Sequence, residues 1–282
     1  MSGGGARDHW HRSPVVAIVL LSLAFMGLRV LAWWVVQHLQ GASRFTLAAI
    51  AIGSLALYML IVVLLIFSVA RLRIAAAGQA ALVVCFGAAL CAARAARVPV
   101  GGDLALVLAA AFLGVLVARL IREPNMLVPV ALVASIVDMW GVYYGVVREI
   151  GERAPETAAA LSTSVPMAVA PMLGSIGIGD FVFMGLFFAA VVRLGLCVSA
   201  TLWASAAALL IASLVFFGAS LSPHLAPLAQ RLPGLPFLAA AVVAVNARRF
   251  DFSREENRAV VAVVVALGLI LTAVTLVWRT GT

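Results

Sequence analysis

The chain alternates between long unbroken apolar runs and short polar punctuation. Nine runs can be drawn, at approximately 14–38, 46–70, 74–92, 101–121, 125–147, 170–193, 196–218, 233–247 and 257–278. They are rich in Ala, Leu and Val and show no strand-like alternation, so each reads as a helix. Crossing the hydrocarbon takes about 20 residues, and most runs reach that length. The eighth is short. It begins at Pro233, behind the Pro-punctuated stretch 222–232, which predicts irregular backbone inside the protein at its start. Most connections are short. The two longer ones are 148–169, charged at first and then fairly apolar, and the charged stretch 248–258. In the latter, Ser253-Arg-Glu-Glu256 has the spacing of a capping box that starts the last helix. No repeat, low-complexity linker or room for a soluble domain is visible. The expectation is one all-α membrane domain, residues 1–282, built as a bundle of about nine transmembrane helices.

Composition makes lipid the solvent. Hydrophobic residues are 65% and charged residues 11% of the chain, against about 45–50% and 25% in soluble domains. Mean hydropathy is +1.17. The net charge of +8 comes from 19 basic residues, all of them Arg. They stand singly or in pairs between apolar runs, as loop charges that fix membrane orientation do, and not as a nucleic-acid-binding stripe. The N-terminal tail and even-numbered loops hold eleven Arg, the opposite side holds seven, and Arg29 lies inside the first run. The positive-inside rule then favours a cytoplasmic N-terminus. The first run follows a basic tail, is long, and lacks a small-residue cleavage site, so it reads as a retained helix. Cys85, Cys91 and Cys197 sit in apolar runs without metal or redox spacing and read as packing residues.

Of eleven acidic residues, nine fall in the tail, loops or helix ends, whereas Asp138 and Asp180 fall within runs. An intramembrane acid costs about 2.5–3.5 kcal/mol on insertion scales and is a functional hypothesis by default. Asp138 is expected about ten residues before the end of the fifth helix and Asp180 about ten residues into the sixth, both about 15 Å from the face their connecting loop occupies. Two carboxylates at one depth on adjacent helices can meet, and then share one proton and act as base and acid on a water. Small residues surround them. Ala131, Ala134, Ser135, Gly141 and Gly145 share the face of Asp138, and Gly174, Ser175, Gly177 and Gly179 precede Asp180, allowing close backbone approach. Parity of the helices puts the start of the eighth, at Pro233, on the same face.

These residues carry a resemblance. Gly177-Ile-Gly-Asp-Phe-Val-Phe183 resembles the GxGD motif of the presenilin and signal peptide peptidase family of intramembrane aspartyl proteases. Pro233-Gly-Leu-Pro236 is similar to that family's PAL motif, with Gly234 for Ala, and Asp138-Met-Trp140 corresponds to its first aspartate, with Val137 for Tyr. The similarity spans roughly 125–250. The family carries its aspartates on the sixth and seventh of nine helices and its PAL motif at the start of the last; here they fall on the fifth, sixth and eighth. The resemblance implies a divergent prokaryotic-type member in a bacterial or archaeal cell membrane. It implies that Asp138 and Asp180 activate water against a peptide bond in a substrate's transmembrane segment or signal peptide. Gly177 and Gly179 would give clearance, Pro233, Gly234, Leu235 and Pro236 would bind the substrate, and no metal or organic cofactor is needed.

Other readings compete. The same two acids could form a proton or cation relay in a small transporter or channel, or pair helices in a non-catalytic scaffold. A prepilin-peptidase-like enzyme shares GxGD but leaves Pro233–Pro236 unexplained. A zinc protease needs H-E-x-x-H, and a serine type needs a membrane-embedded Ser–His pair; the four His provide neither. Asp103, after Gly101-Gly, reads as a helix N-cap. Arg29 is expected to snorkel or to pair with a polar neighbour. Trp33, Trp34, Trp140, Tyr143 and Tyr144 read as interface anchors or packing. His9 and His11 are too isolated for a metal site. The apolar stretch 165–171 reads as an ordinary loop, with edge pairing to an unwound substrate strand as the alternative.

Overall fold

The computed structural model describes residues 13–38, 43–143, 162–164, 175–220 and 233–280. Among them are nine α-helices: α1 Pro14–His38, α2 Arg44–Ala70, α3 Ala76–Ala95, α4 Pro99–Val117, α5 Leu127–Tyr143, α6 Ile178–Arg193, α7 Val198–Ser220, α8 Leu235–Asn246 and α9 Arg254–Thr280. Two three-residue strands, β1 Ser162–Ser164 and β2 Ser175–Gly177, pair antiparallel, with Ser162 opposite Gly177 and Thr163 opposite Ile176. The protein is an all-α polytopic bundle. Seven helices carry apolar spans of 18 residues or more; α6 and α8, with 16 and 12 residues, do not.

Local sequence sets the helix ends. The Ser43 hydroxyl accepts from the Thr46 amide to open α2, and Pro99 occupies the first turn of α4, where its missing N–H costs nothing. Ser253 and Glu256 form the expected reciprocal capping box at α9, at 2.8 and 3.1 Å. α6 stops in a Schellman turn. Gly195 takes φ +64°, Leu196 N–H donates to Val191 O at 3.0 Å, and Gly195 N–H donates to Val192 O.

The core lies among α2, α4, α6 and α7, with Tyr58, Leu65, Leu106, Phe181, Phe187 and Phe188 fully buried. α1, α3 and α9 pack at the periphery and expose apolar side chains such as Val19, Val84 and Leu269, as lipid-facing helices do. α4 and α6 cross through two glycines that the sequence analysis did not single out. A Cβ on Gly114 would sit 2.0 Å from Val182 O, and one on Gly185 would sit 2.7 Å from Ala111 O. Only hydrogen fits at either position, so this crossing fixes where α6 stands. At its far end α6 brings Arg193 beside Arg119, so α4 and α6 run parallel.

Three expectations are corrected. The sixth helix starts at Ile178 and not at 170, because 175–177 is extended and paired with β1. Asp180 therefore stands in its first turn, not ten residues inside. The eighth helix starts at Leu235, with Gly234 as its N-cap and Pro236 in its first turn. Asp103 is not an N-cap: Val98 holds that position, and Asp103 lies one turn inside α4, 3% exposed. Asp138 and Asp180 are thus not the only acids inside the bundle. Gly145, Gly174, Tyr144, His9, His11 and the stretch 165–171 fall outside the described residues, as does most of the connection 148–169.

Candidate active site

The chemistry-bearing side chains come from three helices. Asp138 projects from the last third of α5. The small-residue face around it is packed: Ala131 and Ala134 are buried, as is Gly141, and α8 lies against α5. Ser135 turns its hydroxyl back onto Ala131 O at 2.8 Å and so offers no polar competition to the aspartate. Counted from the basic face, Asp138 is eleven residues beyond the start of α5 and Asp180 thirteen before the end of α6. At 1.5 Å per residue these are depths of about 16 and 20 Å. The carboxylates are level although the route to that level differs from the expected one.

The short helices α6 and α8 both begin at this depth, so their N-terminal amides point into the bundle and not into water. Unsatisfied amides and the positive end of the helix dipole favour an anion there. Both acids use this. Asp180 stands in the first turn of α6 and accepts from the Gly177 amide. The first amide of α8, Leu235 N–H, donates to Asp138 Oδ2 at 3.1 Å. Gly234, one residue before, lies against the other acid: a Cβ there would be 3.2 Å from Asp180 Oδ1. The Pro233–Pro236 turn therefore lies against Asp180 with one residue and bonds Asp138 with the next. Asp180 lies within reach of the charge of Asp138. Both are half-buried, and among the described residues neither has an ion-pair partner.

No protein-family model, curated protein or solved structure matches the chain.

The remaining candidates separate on packing. Gly177 has room for a methyl group, whose nearest neighbour would be Asp180 Oδ2 at 4.0 Å, and a Cβ on Gly179 meets nothing within 4 Å. Among the described residues, none crowds either glycine. Pro233 and Leu235 are buried and Pro236 half-buried. Pro236 supplies no amide, which leaves Leu235 N–H as a first-turn donor free to point at Asp138. Trp140, expected as an anchor or packing residue, donates its indole N–H to Thr275 on α9 at 2.8 Å. It thereby ties the peripheral helix to the helix of Asp138. Among the described residues no three His, Cys, Asp or Glu come together.

Two supporting groups went unnoticed in the sequence. Asn246, fully buried at the end of α8, donates to Thr201 Oγ1 at 2.8 Å and Val242 O at 2.9 Å and accepts from the Cys197 amide at 2.9 Å. It pins α8 to the start of α7 and so fixes the rise of Leu235. Its signal was a lone Asn ending an apolar run. The second is a cluster around Asp103. Arg29 and Arg94 both pair with it, Arg94 at 3.1 Å. Arg29 therefore takes the polar-neighbour alternative.

Proposed function

We propose that this chain is an intramembrane aspartyl protease that hydrolyses peptide bonds within transmembrane segments or signal peptides. The observation that carries it is the seating of one turn, Gly234–Leu235, on both acids: an amide bond to Asp138 and a bare backbone against Asp180. That contact joins three sequence features, the two aspartates and the Pro-Gly-Leu-Pro segment, whose combination resembles the presenilin and signal peptide peptidase family.

The chemistry follows from the pair. Two carboxylates seated on one turn can share one proton, with one charged and one neutral. The charged member takes a proton from a bound water as its oxygen attacks the scissile carbonyl carbon. The neutral member donates its proton to the carbonyl oxygen; as the C–N bond breaks, the first member passes the water's proton to the leaving nitrogen and the second takes a proton back from a hydroxyl of the tetrahedral intermediate. Leu235 N–H holds Asp138 in place without neutralising it, as an Arg or Lys partner would. Among the described residues nothing crowds Gly177 or Gly179, which leaves access for a substrate strand, and the half-buried Pro236 offers it a wall. The resemblance extends the reading to a multi-pass protein of a bacterial or archaeal cell membrane, with its N-terminus in the cytoplasm by the Arg distribution.

A relay in a small transporter is the second reading, favoured by the two helices that start at mid-depth, a feature of ion and substrate sites in transporters. The test is cleavage of a panel of single-span substrates by purified protein, alongside proton and cation flux in liposomes. Proteolysis predicts cleavage by wild type and none by Asp138→Asn or Asp180→Asn. Asp-dependent flux without cleavage of any substrate would replace the protease with the transporter.

A further inference from the structure

The bundle holds a second intramembrane polar cluster, which the proposed chemistry does not use. Asp103 is 4% exposed in its side chain and is gripped by Arg29 from α1 and Arg94 from the end of α3. The tight α3–α4 turn makes the second grip possible. Arg97 adopts φ +54°, which folds α4 back so that Arg94 lies across Gly102, where a Cβ would be 3.5 Å from its Nε. Three charges at one buried point are costly to assemble, and a core of apolar residues would be no less stable. The cluster needs a reason beyond cohesion.

Its contacts with β1 supply one. Arg94 donates to Ser162 O at 3.3 Å. The fully buried Thr163 hydroxyl lies beside the Asp103 carboxylate and shares a 3.3 Å hydrogen bond with Tyr58 OH. Ser162 stands opposite Gly177 in the hairpin, and the Gly177 amide donates to Asp180. Only one strand pair separates the cluster from the acid.

We propose that the Arg29–Asp103–Arg94 cluster is a clamp on β1 that sets the register of the hairpin and, through Gly177, the position of Asp180. Asp103, Arg94 and Thr163 are then positioning residues and not catalytic ones. A three-residue strand pair is too short to hold its own register. A one-residue slip would carry Gly177 away from Asp180 and turn β2 over. Fixing β1 to side chains of α2, α3 and α4 removes that freedom. The link to catalysis rests on the protease reading; the clamp on the hairpin does not.

The test reads the hairpin directly. In a cysteine-free background, S164C and S175C place thiols at opposed positions, and their oxidation rate in membranes reports register. Thr163→Val removes the clamp's hydroxyl at constant volume without stranding a charge, and Thr163→Ser restores it. The expected result is at least five-fold slower crosslinking with Thr163→Val, near-normal crosslinking with Thr163→Ser, and a parallel ten-fold loss in kcat at unchanged KM. Elution as folded protein is checked for each variant, and Tyr58→Phe serves as the second probe of the same bond. Unchanged crosslinking in folded Thr163→Val and Tyr58→Phe would overturn the clamp. Slower crosslinking with unchanged kcat would overturn the link to Asp180. If wild type cleaves nothing, the protease reading fails while the crosslinking arm still decides the clamp.

Discussion

The bundle treats its intramembrane acids in two ways. Asp103 is closed in by two guanidiniums, a hydroxyl and the wall of α4, and is nearly inaccessible. Asp138 and Asp180 are half-buried, have each other for company, and are held by backbone amides of Leu235 and Gly177. A carboxylate saturated by cations has its charge fixed and its lone pairs occupied, so it can hold structure but cannot trade protons. A carboxylate held by one amide keeps oxygens free. The partner type, more than depth in the membrane, separates a structural acid from a reactive one. It follows that the insertion cost of an acid flags a site without saying which kind it is.

The contrast should be sharpest in stability. Asp103→Asn leaves the nearly buried Arg29 and the partly buried Arg94 without their carboxylate and is expected to lower the unfolding free energy by about 3 kcal/mol, seen as a collapse in denaturant-titrated folded protein. Asp138→Asn keeps an oxygen for Leu235 N–H and should cost about 1 kcal/mol or less. Equal losses at the two positions would erase the distinction. Next comes the pair of glycine types. Gly114→Ala puts a methyl against Val182 O and is expected to cost about 1–3 kcal/mol by forcing α4 and α6 apart. Gly179→Ala meets open space and should leave stability equal or raise it by up to about 1 kcal/mol, while slowing cleavage by filling room a substrate needs. Gly234 stands between these cases. Its Cβ position is 3.2 Å from Asp180 Oδ1, so Gly234→Ala should reduce kcat a few-fold and Gly234→Val should abolish cleavage, with the fold retained in both. The smallest effect is expected at Arg97, whose left-handed backbone favours glycine. Arg97→Gly should stabilise by about 1 kcal/mol without altering cleavage, checked by thermal melting of detergent-solubilised protein.

Much of this was legible along the chain, and the misses have physical causes. Continuous apolar runs gave nine helices in the right order, and the capping box at Ser253 appeared as spaced. The meeting of Asp138, Asp180 and the Pro233 segment followed from parity alone, because antiparallel neighbours return to the same face. The start of α6 did not follow, since Ser175-Ile-Gly177 is apolar and small enough to continue a helix; only its pairing with β1, upstream on the facing strand, makes it extended. Asp103 was misread because a Gly-Gly-Asp sequence at a run's edge suits an N-cap. Pro99 starts the helix earlier, and the cations that hold Asp103 come from other helices, 74 and 9 residues away. Gly114 and Gly185 sit in runs with many small residues, and nothing local marks the two that meet.

The central claim is that Asp138 and Asp180 act as one unit on a peptide bond. It is tested most directly by the cycle of Asp138→Asn, Asp180→Asn and the double variant, assayed for cleavage of one single-span substrate. A unit predicts that each single change lowers kcat by roughly 10³-fold or more and that the double change lowers it no further. Losses that multiply, or a single variant that still cleaves at a tenth of the wild-type rate, would contradict it.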